Sequence, residues 1–161
     1  MRYLILFALA VAVIAFALII AGQLGLLRGK APQDLGFKDG KLKRISRTPN
    51  CVSSQAALWP DDRQKDYSAI APFKATGDGS AQMQKISDAL KAMPRTVIVS
   101  QTPAYIYAQS TTALLKFTDD VEFALDAQAG VIHVRSASRL GQKDFGVNRT
   151  RIEAVRAALG Q

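Results

Sequence analysis

The sequence predicts an α+β protein: a single small domain with an antiparallel sheet of about four strands and two covering helices, preceded by an N-terminal transmembrane helix. Three observations carry that expectation. Residues 3–27 contain no charged side chain. Two later segments repeat apolar residues at helical spacing, and the four segments between them read as strands joined by short connections. At 161 residues the chain is short for more than one domain.

As a helix, residues 3–27 would span about 38 Å at 1.5 Å per residue, against a hydrocarbon core of about 30 Å. A cleavable export signal has a shorter apolar run, about 7–15 residues. Residues 1–27 are therefore read as a transmembrane anchor or uncleaved signal, with cleavage near Ala21 as the alternative. No cysteine follows the run closely enough for lipid attachment. A positive-inside count would leave the domain in the cytoplasm, because Arg28 and Lys30 outweigh Arg2. An arginine just before an N-terminal apolar run is instead the layout of an export signal. The expectation adopted is a single-pass membrane protein with an exported, periplasmic domain, and the cytoplasmic side stays open.

Residues 28–47 form a basic linker broken by Pro32, Gly36 and Gly40, with seven Lys/Arg and two Asp. It reads either as a solvated spacer or as a segment resting on anionic headgroups. The formal net charge is +8, but residues 48–161 hold thirteen Lys/Arg and eleven Asp/Glu, a net of +2. The basicity thus belongs mainly to the linker, which argues against nucleic acid as a partner. Residues 48–73 carry turn signals at Pro49-Asn50 and Pro60-Asp61-Asp62, and their apolar residues show no period. They are expected to form an irregular arm with Trp59 and Phe73 pinned into the domain surface.

The body, within the α+β domain at 48–161, follows in order. Residues 78–94 predict a helix: Met83, Ile86, Leu90 and Met93 share one face, Ser80 is a candidate N-cap and Pro94 a stop. Residues 95–101 and 104–112 predict strands, with Tyr105 and Tyr107 opposite Ile106 and Ala108. Residues 121–126 place Val121, Phe123 and Leu125 on one face. Residues 131–136 place His133 and Arg135 opposite Ile132 and Val134, after a turn at 127–130. Short connections between consecutive strands imply antiparallel pairing. A last helix is predicted over 148–159, capped by Asn148, with Ile152, Val155 and Leu159 buried.

Three constellations could carry chemistry. Cys51 with His133, oriented by a carboxylate such as Asp144 or Asp119, would make a cysteine-dependent hydrolase or transferase; a lone buried cysteine more often packs as a small hydrophobe. Asp119, Asp120 and Glu122 resemble paired acids, but neighbouring strand residues face opposite ways, so ion pairs with Arg135 or Arg139 suit them better. The most suggestive set is Arg135, Ser136, Ser138, Arg139, Asn148 and Arg149, beside Asp144: arginines and hydroxyls near a helix N-terminus can hold an oxyanion. The bland alternative is an internal salt-bridge network. One Cys and one His are too few for a Cys/His zinc site, so no metal is expected. Gly77-Asp78-Gly79 lacks the Lys-Ser/Thr ending of a phosphate loop, so no cofactor is expected either.

PNCVSS at 49–54, DDVEF at 119–123, RSASR at 135–139 and DFGVNRTRIE at 144–153 together resemble the domain-of-unknown-function 1499 family of bacteria and plants. Four motifs in order make the resemblance specific, and it covers about residues 49–159. It implies a small uncharacterised domain, often with an export or membrane segment, and supplies no catalytic residues. It also implies that the Cys51 arm and the RSASR loop belong to one module and meet in space. The functional expectation is a membrane-tethered, non-catalytic binding or assembly module of the cell envelope. It would recognise an anionic group, a lipid headgroup or an envelope protein. The cysteine enzyme is the alternative.

Overall fold

The computed structural model describes residues 1–161. The first helix, α1 (Arg2–Gln23), is long and apolar enough to cross a membrane. Only Gly22, in its last turn, is buried. A side chain there is impossible without movement, because a Cβ would lie 2.6 Å from the Leu115 carbonyl oxygen. Gln23 Nε2 donates to Leu114 O at 2.9 Å, so α1 ends seated on residues 114–115.

The sheet and its covering helices, between Cys51 and Ala158, form the expected α+β layer pair. The four long strands are β3 (Thr96–Thr102), β4 (Tyr105–Thr111), β5 (Thr118–Asp126) and β6 (Val131–Ser138). They pair antiparallel in sequence order. The arm supplies two more. Short strands β1 (Cys51–Ser53) and β2 (Phe73–Lys74) share the outer edge of β6, β1 against Arg135–Ala137 and β2 against Val131–Ile132. Between them lie a 3-10 turn (Ala56–Leu58) and the single turn α2 (Lys65–Ser68). The arm is thus more regular than its composition predicts; two- and three-residue strands are too short to show a period.

Two helices cover one face, α3 (Ser80–Ala92) and α4 (Val147–Ala158). Met83, Ile86 and Leu90 of α3 and Ile152 and Val155 of α4 meet Ile106, Ala108, Val121, Phe123, Ile132 and Val134 from the sheet. Phe73 lies within this core rather than on its surface, edge-on to Phe123 with ring centroids 5.5 Å apart. Burying each such side chain contributes about 1.5–3 kcal/mol. Both helix caps differ from expectation in the same way. The N-cap residues are Gly79 and Gly146, in left-handed conformation. Asp78 Oδ1 accepts from the Ser80 N–H at 3.0 Å, and Asp144 accepts from Gly146 and Asn148. Ser80 and Asn148 therefore sit inside their helices.

The opposite face is covered by the linker. Leu42 and Ile45 are buried there, Ile45 in a small cluster with Cys51, Ala56 and Ala137, onto which Trp59 packs. The Gly36 N–H donates to Glu122 Oε1 at 2.8 Å, and Phe37 packs beside His133. Residues 34–45, part of the basic linker that the sequence left as either a solvated spacer or a segment on anionic headgroups, form a strap over the sheet. One end of the sheet gathers the seat of α1, the 93–96 turn, the β4–β5 hairpin tip, the end of β6 and the start of α4. The other end carries the 127–130 turn.

Candidate functional site

The residues singled out from sequence lie in one region but divide between the two faces of the sheet. Successive side chains of β6 alternate, so Arg135 and Arg139 point under the strap while Ser136 and Ser138 point towards α4. The six candidates consequently do not form one cradle.

On the helix face, Asn148 is fully buried at the centre of a polar joint. Its Nδ2 donates to Asn50 O at 3.1 Å, Ser138 Oγ at 3.0 Å and Asp144 Oδ2 at 2.9 Å. Its Oδ1 accepts from Ser136 Oγ at 2.5 Å and Arg151 Nη1 at 2.7 Å. Arg151 Nη2 also meets Asp119 Oδ2 at 2.6 Å. Asp144 accepts from the Tyr67 hydroxyl as well. Burial alone would raise the Asp144 carboxyl, but the bonds from Tyr67, Gly146 and Asn148 outweigh it and hold it below the ordinary carboxylate value. Tyr67 answers with a hydroxyl pushed up to about 12, by burial and by that carboxylate. Arg149 Nη2 donates to the Tyr67 and Ala69 carbonyls at 2.6 and 2.9 Å. This joint ties the 48–73 arm to β6 and α4, so the arm and the RSASR segment do meet.

Under the strap, acids of β5 face arginines of β6. Arg139 grips Asp120 through Nε at 2.9 Å and Nη2 at 2.7 Å, and Tyr107 donates to the same carboxylate at 2.6 Å. That bidentate bond to Asp120 raises the guanidinium above its ordinary value. Arg135 lies 3.6 Å from Glu122, an ion pair without a hydrogen bond, and its Nε donates to Arg44 O at 3.3 Å. Tyr105 donates to Glu122 at 2.8 Å. Burial, then the nearby Glu122 charge, drives the Tyr105 hydroxyl well above its ordinary value.

The catalytic alternative is not assembled. Cys51 pairs with Ala137, four residues along β6 from His133, which is about 13 Å at ~3.3 Å per residue. Asp144 lies on the other face of the sheet, and the Cys51 thiol is buried against Val52 O. His133 instead meets Ser54 Oγ through Nδ1 at 3.1 Å and Asp126 through Nε2 at 3.8 Å. That serine–histidine–aspartate order has the outline of a triad. The Ser54 oxygen, however, accepts from the Val134 N–H at 2.9 Å, filling the ladder where the β6 edge passes from β1 to β2. Burial lowers the His133 imidazole below its ordinary value, with Asp126 opposing. No group of three or more His, Cys, Asp or Glu is placed to hold a metal ion.

A roomy concavity lies at the α1 end. It holds about 590 Å³ between Gly25, Arg28 and Gly29 on one side and Arg95, Gln109, Thr111, Thr118 and Arg139 on the other. Neither Arg28 nor Arg95 has a carboxylate within 4.0 Å. Arg139 is neutralised by Asp120, so the cavity carries a net of two positive charges. Gly29, with φ +69, lets the chain pass: a Cβ there would lie 2.9 Å from that of Arg139. Sequence reading missed Arg28, Arg95, Arg151, Tyr67 and Asn50 as site residues. Arg95 and Arg28 carry no local motif, since only the fold brings them together.

Fold and site define a class: a small α+β domain with a strapped sheet, seated on the end of an apolar helix. The chain belongs to the family described as protein of unknown function (DUF1499), whose model matches residues 41–159. That span begins within the strap, just before buried Leu42. No curated protein and no solved structure matches the chain.

Proposed function

We propose that this protein is a membrane-tethered, non-catalytic binding module that holds an anionic headgroup in the cavity where α1 meets the domain. Arg28 and Arg95 supply the charge, Arg139 shapes the wall, and Gln109, Thr111 and Thr118 offer polar contacts. The carrying observation is the cavity of about 590 Å³, with two arginines lacking carboxylate partners, at the point where an apolar helix leaves the domain. A guanidinium matches a phosphate diester bidentately. Retention of α1 suits this reading, because cleavage after Ala21 would cut the turn that seats on Leu115. The separation of Cys51, His133 and Asp144 favours binding over catalysis. Export of the domain follows from Arg2 before the apolar run, and a reporter fused after Gln161 tests it.

Headgroup binding is tested with the full chain in mixed vesicles of phosphatidylglycerol and phosphatidylcholine. Spin-labelled lipids report which headgroup the protein retains. At about 1 kcal/mol per arginine near the surface, Arg28→Ala with Arg95→Ala should lower selectivity for the anionic lipid about 30-fold. Added inorganic phosphate distinguishes a free-phosphate site, because it would then compete. A wild-type chain that shows no preference for the anionic lipid refutes the proposal.

A further inference from the structure

The α1 end also carries an apolar rim around this cavity. Phe145, in the loop between β6 and α4, is 93% exposed, and Leu114, at the β4–β5 hairpin tip, is 64% exposed. Leu140 and Val147 are exposed beside them. The rim is continuous with α1. Gly22 seats on Leu115, Leu140 abuts Gly29, and Phe145 and Arg95 line a shared groove of about 410 Å³. Arg95 in turn faces Arg28 across the larger cavity. Exposed Leu24 and Leu26 extend the apolar surface back into the helix.

Three properties say what covers this rim. First, its exposed charges are cationic, Arg28, Arg95 and Lys143, whereas the acids of this end, Asp119, Asp120 and Asp144, are buried and bonded. Second, Arg95, Lys116 and Phe145 hold φ of +58°, +55° and +53°, and only Asp39 among other non-glycine residues does the same. Left-handed backbone is unfavourable for bulky side chains and concentrates where surrounding structure enforces it for use. Third, the chain on both sides of exposed Phe145 is held: Asp144 before it is gripped by Tyr67, and Gly146 after it donates to Asp144 at 3.0 Å. Holding an aromatic ring in water is unfavourable. A bilayer around α1 would take the ring out of water and place the cations at an anionic surface.

The geometry points to Phe145 and Leu114 as wedge residues that enter the interfacial layer of the membrane crossed by α1, with Arg95 and Lys143 at headgroup level. The domain then sits on the bilayer instead of swinging from it. This rests on α1 being retained in the membrane, as proposed above, and not on the headgroup cavity being occupied.

The test uses the full chain reconstituted in vesicles of phosphatidylcholine alone. Phe145→Cys, Leu114→Cys and, at the far end of the sheet, Gln128→Cys each carry a nitroxide; the parent chain, whose Cys51 is buried, is labelled in parallel as the background. Labels at 145 and 114 should collide with oxygen and be shielded from an aqueous nickel chelate, at about 5–10 Å below the phosphates. The label at 128 should show the reverse. Either rim label as open to the chelate as position 128 overturns the inference. These vesicles contain no anionic headgroup, so that failure leaves the cavity proposal standing. A chain that does not stay with the vesicles overturns both.

Discussion

Asn148→Ala is the sharpest perturbation of the joint that holds the arm, β6 and α4 together. The side chain makes five hydrogen bonds, and three of its partners, Asn50 O, Ser136 and Asp144, are themselves buried. Some partners can re-pair, since Arg151 keeps Asp119 at 2.6 Å and Ser136 at 3.0 Å, and Asp144 keeps Tyr67 and two backbone N–H groups. Asn50 O loses the Asn148 amide but keeps the Ser138 N–H at 3.0 Å, and half-buried Ser138 Oγ loses its side-chain partner. At about 1 kcal/mol for each of the amide's bonds to Asn50 O, Ser138 Oγ and Asp144, the loss is about 3 kcal/mol. That is a large part of the ~5–15 kcal/mol available to a domain. Trp59, the only tryptophan, packs on the Cys51 cluster beside the joint and reports unfolding by its emission. Urea titration of the full chain in mild detergent measures the change. Asn148→Asp separates hydrogen bonding from volume: it replaces the donor that faces Asp144, Asn50 O and Ser138 with an acceptor, at nearly equal size. It should cost as much as alanine. A loss below about 1 kcal/mol for both variants refutes the view that this residue organises the joint.

Three further outcomes follow from the same structure. Asp144→Ala removes the side-chain cap of α4 and should cost about 1–2 kcal/mol in the same titration. Because the folded Asp144 carboxyl lies below its ordinary value of 3.8, its contribution is present above that value and fades as pH falls through the folded one; the wild type and Asp144→Ala should converge in acid, and a constant gap would contradict this. His133 is held below its ordinary value of 6.5, so stability should fall as pH drops below 6.5 and level off beneath the folded value; His133→Gln should flatten that slope in melting temperature, and parallel wild-type and variant profiles would refute it. Gly22→Leu puts a side chain where Leu115 O stands 2.6 Å from the ideal Cβ, so the distance between spin labels at Ile20 and Ala113 should lengthen; an unchanged distance would mean that α1 is not seated there.

The long strands and the two covering helices were legible because their apolar residues alternate or repeat over several positions. Tyr105 and Tyr107 do lie opposite Ile106 and Ala108, and Met83, Ile86 and Leu90 do form the buried stripe. Polar strand ends were harder. Thr118–Asp120 and Ala137–Ser138 belong to β5 and β6, yet nothing local marks Asp119 and Asp120 as buried. Their partners, Arg151 and Arg139, stand 32 and 19 residues away, and only strand register and helix placement join them. The strap was hidden for a related reason. Leu42 and Ile45 are two isolated apolar residues in a basic run, too few to set a period, and they are buried by the open face of a sheet whose existence had first to be known. The candidate site was legible as a neighbourhood but not as an arrangement, because alternation along β6 sends Arg135 and Ser136 to opposite sides.

That alternation also decides which arginines are free to bind. The three acids of β5 stand at Asp119, Asp120 and Glu122, and each is met by a different arginine: Arg151 on the helix face, Arg139 and Arg135 beneath the strap. Buried pairs of this kind barely repay their desolvation, so their main effect is to fix geometry: removing either member leaves an uncompensated charge inside. Two of the arginines that looked most like ligand groups in the sequence, Arg135 and Arg139, are therefore committed to the fold, and Arg149 is held by the Tyr67 and Ala69 carbonyls. Arg28 and Arg95 have no carboxylate partner, Arg95 donating through Nε to Thr111 O at 3.2 Å, and they stand at the one end of the sheet where α1 is seated and where Phe145 and Leu114 project. Charge-neutral architecture in the middle and unneutralised charge with exposed apolar tips at one end is a division that folding alone does not require. It is what a domain needs if its working surface is the membrane beside its own anchor.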